Sequence, residues 1–229
     1  TNNGTSWSDL SNGLEISEMY GFGQSQQSNT PYLLLQGWQD NGTNRFTGTT
    51  WNHVIGGDGM LCFIDRTNNQ NMWGSTQNGG FNRSTNGGGT WTAATTGITE
   101  TGPWVTSWSQ DPVVATTLYS GWVNMWKSTN SGASWTKISN FTTTSSVITF
   151  AVSGANNQVI YASKSEGLYR TTNGGTTWTL MTGLPAGTIT GIACSNTDAS
   201  KVWITYSGFN NTNKVFRSTD QGATWTNFS

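Results

Sequence analysis

The stretch Arg83-Ser84-Thr85-Asn86-Gly87-Gly88-Gly89-Thr90-Trp91-Thr92 returns three times with small changes, and its recurrence decides how the chain is read. KSTNSGASWT begins at Lys127, RTTNGGTTWT at Arg170 and RSTDQGATWT at Arg217. The tryptophans of these stretches, Trp91, Trp135, Trp178 and Trp225, are spaced by 44, 43 and 47 residues. Two more keep the beat: Trp51 in FTGTTW lies 40 before Trp91, and Trp7 in TNNGTSW lies 44 before Trp51. A period of about 40–47 residues is that of a β-propeller blade of four short strands.

Each interval holds material for those strands. WSDL, WNHV, WTAA, WTKI, WTLM and WTNF follow the tryptophans. Inner strands are clearest in SVITFAVS from Ser146 and TITGIACS from Thr188. A third run carries an aromatic in most blades, and a fourth (MWKS, LYRT, VFRS) leads into the repeated stretch. Helical i, i+3, i+4 periodicity is absent, so the fold class is all-β, a propeller of four-stranded antiparallel blades. Residues 1–10 are expected to end a preceding blade, with blades at 11–54, 55–94, 95–138, 139–181 and 182–229. That tally predicts a segment of a larger ring of seven or more blades, the remainder lying in a longer polypeptide. A closed five-bladed ring with a spare strand is the alternative.

The repeated stretch has a structural explanation. Its central Asn or Asp bonds backbone two residues on, the following Gly supplies positive φ, and its Ser or Thr residues satisfy stray backbone groups. The tryptophan packs beneath the turn as a large apolar anchor. These residues carry a resemblance. Ser84, Asn86, Gly88 and Trp91 resemble an Asp-box, or BNR repeat, as do Ser128, Asn130, Gly132 and Trp135. So do Thr171, Asn173, Gly175 and Trp178, and Ser218, Asp220, Gly222 and Trp225. Asp-box propellers include sialidases, xyloglucanase-type glycoside hydrolases, sortilin-type receptors and a photosystem II assembly factor. The resemblance therefore implies the fold more strongly than any chemistry. QDNG, GGDG and STQNGG look most like large secreted proteins of Bacteroidetes-type bacteria, which implies a secreted or cell-surface location.

Composition narrows the partners. Charged residues are 9% of the 229, with a formal net charge of −1, so there is no basic footprint for nucleic acid. No apolar run approaches the length of a membrane-spanning helix; YLLLQGW, residues 32–38, has the length of a strand. Cys62 and Cys194 sit in apolar strand-like runs and are read as buried free thiols. One histidine, His53, leaves little from which to build a His-based triad or a metal site, and no cofactor or metal is expected. The sequons at Asn3, Asn41, Asn82, Asn140, Asn210 and Asn227 are no more than chance supplies in so Asn-, Ser- and Thr-rich a chain.

Propeller ligands sit at the face opposite the repeated turns. Two acidic turns fall there, Asp40 in GWQDNG and Asp58 in GGDGM. As a close pair they would serve as acid and base in glycoside hydrolysis; Asp in such turns also serves backbone geometry alone. The catalytic pair of the xyloglucanase-type enzymes is not matched residue by residue. Arg83, Arg170 and Arg217 imitate a sialidase arginine cluster, but with Lys127 they occupy one repeat position and are expected to point outward from different blades. Trp38, Trp104, Trp122, Tyr206 and Phe209 are the aromatic candidates for ligand contact, while Trp108 is expected in the core. The expectation is a non-catalytic recognition or adhesion scaffold whose partner is a glycan or an extracellular protein. The alternatives are a xyloglucanase-type glycoside hydrolase using Asp40 and Asp58, and an assembly factor for another protein.

Overall fold

The computed structural model describes residues 3–8, 17–27, 32–209 and 212–229. Among them, twenty strands form five four-stranded antiparallel sheets, each in sequence order from its first strand to its fourth. The first sheet contains β1 (Met19–Gln24), β2 (Leu33–Trp38), β3 (Gly42–Thr47) and β4 (Trp51–Ile55). The second contains β5 (Gly59–Ile64), β6 (Met72–Thr76), β7 (Phe81–Ser84) and β8 (Thr92–Ala93). The third contains β9 (Ser107–Gln110), β10 (Leu118–Gly121), β11 (Met125–Ser128) and β12 (Thr136–Lys137). The fourth contains β13 (Thr149–Val152), β14 (Ile160–Lys164), β15 (Gly167–Thr171) and β16 (Thr179–Leu180). The fifth contains β17 (Ile189–Cys194), β18 (Val202–Tyr206), β19 (Val215–Ser218) and β20 (Thr226–Asn227). The strand expected after Trp7 runs onto residues 9 and 10, outside the described residues, and residues 3–8 form no strand.

Neighbouring sheets close on each other through apolar layers. Leu35, Cys62, Ile64 and Met72 join the first and second, and Trp73, Phe81, Leu118 and Trp108 the second and third. Tyr119, Met125, Phe150 and Ile160 join the third and fourth, and Tyr161, Leu168, Val202 and Ile204 the fourth and fifth. Alternation along the middle strands makes this possible: in β14, Ile160 and Ala162 face the third sheet while Tyr161 faces the fifth. The Phe81 and Trp108 rings stack 3.7 Å apart at 4°. Between the first two sheets the backbones come closer still, since a Cβ on Gly21 or Gly37 would overlap the Met60 carbonyl. A cavity of about 500 Å³ lined by Gln26, Phe63, Trp108, Gln110 and Asn196 draws on four of the five sheets and marks the axis they surround.

The repeated turns share one hydrogen-bond pattern. The Ser84 hydroxyl donates to Asn86 Oδ1 (2.9 Å) and accepts the N–H groups of Asn86 (3.3 Å) and Gly88 (2.9 Å). Asn86 Oδ1 then accepts the Thr90 N–H at 2.9 Å. Ser128, Thr171 and Ser218 repeat the hub at 2.7–3.0 Å to the N–H of Gly132, Gly175 and Gly222. In every copy the two residues after the Asn or Asp take positive φ: 69° and 83° at Gly87 and Gly88, 60° and 86° at Gln221 and Gly222. Asn3 (54°) and Gly4 (80°), before Trp7, keep that geometry.

These turns lie beside the loops between first and second strands, as the bonds Gly87 N–H to Gln70 O and Gly174 N–H to Gln158 O show. The second-to-third-strand loops and the links between sheets therefore share the opposite face. Register shifts in β1, β5 and β17 fall near that face, where bulges bend the inner strands.

Candidate functional site

The face opposite the repeated turns brings together only some of the residues expected there. Asp40 sits at φ 60° in the turn from β2 to β3, and its backbone N–H donates to Asp58 Oδ1 at 2.9 Å. The Asp58 N–H in turn donates to Gln77 Oε1 at 3.1 Å. The two acidic turns are thus pinned to each other and to the corresponding loop of the second sheet. One Asp58 carboxylate oxygen, Oδ1, thus braces the neighbouring turn.

Trp104 belongs to the same neighbourhood. Its carbonyl accepts the Asn78 N–H (3.3 Å), and its indole N–H points to the Tyr20 hydroxyl (3.4 Å), which donates to Gln39 Oε1 at 2.9 Å. This chain crosses from the third sheet's entry link to β1 of the first and passes over the second. Trp104 remains 47% exposed while its indole N–H is directed to Tyr20. Tyr20, Gln39 and Gln77 give the neighbourhood its neutral hydrogen-bonding groups. Sequence reasoning missed all three, because polar residues beside turns carry no periodic signal.

Three candidates lie elsewhere. Trp122, expected at the ligand face, is a core residue: it is 3% exposed, packs edge-on against Trp108 and donates its indole N–H to Ser120 Oγ at 2.8 Å. The cause is Gly79, whose missing side chain leaves the space that the indole ring occupies. Tyr206 lines a separate cleft of about 270 Å³ between the fourth and fifth sheets and donates to the Pro185 carbonyl at 3.1 Å. Trp38 lines a third cleft, on the open side of the first sheet. Phe209 stands fully exposed, and Trp108 lies in the core as expected.

The arginines do not point outward. Arg83 Nη1 donates across the interface to the carbonyls of Asn130 and Ser131 in the next sheet's turn, at 3.3 Å each. Arg45 reaches Gly87 O in the same way, and Arg170 reaches Gln221 O at 2.5 Å. Positive φ at Gly87, Ser131 and Gln221 brackets each accepting carbonyl, so the turn supplies the acceptor and the preceding sheet the donor. Lys127 and Arg217, at the same repeat position, lie over the rings of Tyr119 and Phe228. No convergent arginine cluster results.

A buried cation, also missed from sequence, holds the third sheet to the fourth. The Lys164 side chain is fully buried and donates from Nζ to Val123 O (3.0 Å) and Thr143 O (3.2 Å), with Glu166 Oε1 at 3.8 Å and the Phe141 ring at 4.7 Å. Burial lowers its pKa, opposed by the Glu166 and Glu100 carboxylates. Glu166 is itself partly desolvated, but hydrogen bonds from Thr143 and Ser145 outweigh that and bring it down to about 2. Each charge is matched, so this cluster is a fastening rather than a poised acid or base. Burial pushes both thiols, Cys62 and Cys194, up to about 12, and neither forms a disulfide. Among the described residues no group of three or more His, Cys, Asp or Glu side chains is placed to hold a metal ion, and no helix is long and apolar enough to cross a membrane.

With this geometry in place, known proteins give the following likenesses. The family model described as Sortilin, neurotensin receptor 3 (Sortilin-Vps10) matches residues 123–229. No curated protein sequence matches. The GH74 enzyme of Niastella koreensis superposes with a TM-score of 0.69 at 20% identity, over 91% of this chain and 38% of that one. The extracellular domain of the putative hybrid two component system BT4673 of B. thetaiotaomicron gives 0.64 at 14% identity, over 88% and 27%. YCF48 bound to D1 peptide gives 0.65 at 14%, over 93% and 68%. The chain spans 31–38% of the length of the GH74 structures it matches. At these identities the likeness is one of fold.

Proposed function

The chain is a sortilin- and xyloglucanase-like β-propeller, and we propose that it acts as a non-catalytic recognition scaffold of a secreted or cell-surface protein. Its ligand, a glycan or an extracellular protein, meets the face opposite the repeated turns. The observation that carries this reading is the state of the two carboxylates best placed for chemistry. Asp58 Oδ1 accepts the Asp40 N–H and so holds one turn to the other, and the same neighbourhood presents to solvent the half-exposed Trp104 ring with its amides and hydroxyl. An aromatic face ringed by neutral donors and acceptors suits binding of uncharged polar surfaces.

The structural neighbours support both kinds of partner: one is a peptide complex, one an extracellular domain of a two component system, and others are GH74 enzymes. A glycan array and a pull-down from extracellular extract, each run with the wild type and Trp104→Ala, test the proposal. Capture that weakens at least about tenfold in the variant, about 1.4 kcal/mol, is expected. Capture indifferent to Trp104 would remove the site from the account.

The second reading, a glycoside hydrolase of xyloglucanase type, is favoured by the GH74 superpositions and would make Asp40 and Asp58 its carboxylates. Turnover of β-glucans lost on Asp58→Asn would establish it.

A further inference from the structure

The interface between the second and third sheets holds a carboxylate without an ion pair. Glu100, in the link from β8 to β9, is partly buried. Its Oε2 accepts the Asn124 N–H (2.9 Å) and the Trp126 indole N–H (3.1 Å), and its Oε1 accepts Asn124 Nδ2 at 2.7 Å. All three donors are neutral, and Oε1, with a single bond, keeps room for a further donor. The ion pairs among the described residues are Lys164–Glu166 and Lys201–Asp198, so no ammonium or guanidinium stands against Glu100. A carboxylate drawn partly out of water without a counter-charge is costly. Beside it opens a cleft of about 390 Å³ lined by Asn78, Asn82, Ala93, Ile98 and Trp122 together with Glu100.

The next interface shows what such a place accepts. Ser120 and Ala162 pair with Trp108 and Phe150, so Trp122 and Lys164, two residues further on, share one register position. Between the third and fourth sheets that position brings in an ammonium: Lys164 Nζ lies on the Val123 and Thr143 carbonyls, with Glu166 at 3.8 Å. Between the second and third it brings in an indole, whose N–H goes to Ser120 Oγ. This interface therefore has the acid and lacks the base. Glu166 and Glu100 both act on Lys164, and one ammonium against two carboxylates leaves the cluster with one negative charge in excess. Ile98 and Ala93 give the cleft an apolar wall, and Glu100 gives it a charged end. That combination matches a lysine side chain, whose alkyl stem lies on apolar surface while its ammonium meets the carboxylate. The cleft adjoins the Trp104 neighbourhood, since Asn78 on its wall donates its N–H to the Trp104 carbonyl at 3.3 Å.

We propose that this cleft takes a lysine side chain of a protein partner, with Glu100 receiving the ammonium. The proposal rests on the reading of this face as the recognition face, and it commits the partner to a protein. The test titrates the isotope-labelled whole chain with Nα-acetyl-lysine methylamide and with the norleucine counterpart, which has the apolar stem without the ammonium. The Asn124 N–H and the Trp126 indole N–H both donate to Glu100, so their nuclear magnetic resonance signals report on its carboxylate directly. Both signals are expected to shift saturably with the lysine derivative. Affinity is expected to be at least about tenfold weaker, about 1.4 kcal/mol, for the norleucine derivative and in Glu100→Gln. Circular dichroism checks the fold of Glu100→Gln, and the norleucine comparison on the wild type decides the matter if that variant does not fold. Equal binding of the two derivatives would overturn the proposal. So would lysine binding retained in folded Glu100→Gln, or the absence of any shift at the two N–H groups. Failure of the lysine probe alongside partner capture that depends on Trp104 would remove this cleft and leave the recognition face standing.

Discussion

One hydroxyl organises each repeated turn. Ser84, Ser128, Thr171 and Ser218 are each 1–2% exposed, and each collects two backbone N–H groups that would otherwise be orphaned. Ser84→Ala leaves those donors buried without an acceptor, which costs about 1–3 kcal/mol; chemical denaturation is expected to show the loss without a change in ligand binding. The fourth copy differs by using Asp220 where the others use Asn. Hydrogen bonds from the Thr224 hydroxyl and N–H and from Ser218 hold its carboxyl at about 2, below the usual 3.8. A carboxyl whose folded pKa is depressed contributes stability that is full above its unfolded pKa and is lost as pH falls through the folded value. Asp220's contribution is therefore present above about pH 4 and disappears toward about pH 2. Asn at this place keeps the turn, as Asn86 shows with its Oδ1 accepting from Thr90 and its Nδ2 donating to Thr90 Oγ1. The melting-temperature difference between wild type and Asp220→Asn is expected to shift against the wild type across that range. A difference constant with pH would show that the carboxylate adds nothing beyond its shape.

At the scale of elements, sheets are coupled by side chains that cross from one to the next. Arg83 joins β7 to the following turn, and Arg83→Ala removes two charge-assisted bonds while leaving the strand's apolar side intact. A loss of about 1.5–3 kcal/mol is expected in denaturant unfolding. Hydrogen exchange should quicken at the turn around Ser131 before it quickens in β13 to β16. Lys164→Met exchanges a buried ammonium for an apolar chain of similar length, leaves the Val123 and Thr143 carbonyls without that donor and takes the cation from beside Glu166, which keeps its hydroxyl donors. It is expected to destabilise the third and fourth sheets by about 2–4 kcal/mol; an unchanged midpoint would mean that water replaces the ammonium. Sequence made the turns and strands legible because their residues recur at a fixed period. The links across interfaces were not legible. Whether Arg83 points to solvent or to the next turn depends on the angle between sheets, which no local pattern encodes. Trp122 shows the same limit: by register it stands with Trp38 and Tyr206, yet the absent side chain of Gly79 draws it into the core.

At the scale of the molecule, five sheets around an axis divide the surface into two faces of different make-up. One carries the repeated turns and the arginine contacts, and its polar groups are spent on the fold. The other carries loops whose sequences differ from sheet to sheet, which is where the proposed recognition site lies. The candidate site was half legible: the repeat directed attention to the face opposite the turns and to Asp40, Asp58 and Trp104. Tyr20, Gln39 and Gln77 came into view only when the loops were assembled. The central claim is that this face binds without catalysing. Its most direct measurement is a hydrolysis assay on β-glucans with the wild type, Asp40→Asn and Asp58→Asn, the last retaining an oxygen to accept the Asp40 N–H. The account predicts no turnover above background in any of the three. Turnover by the wild type that falls about a hundredfold or more in Asp58→Asn would contradict it and make the two acidic turns an active site.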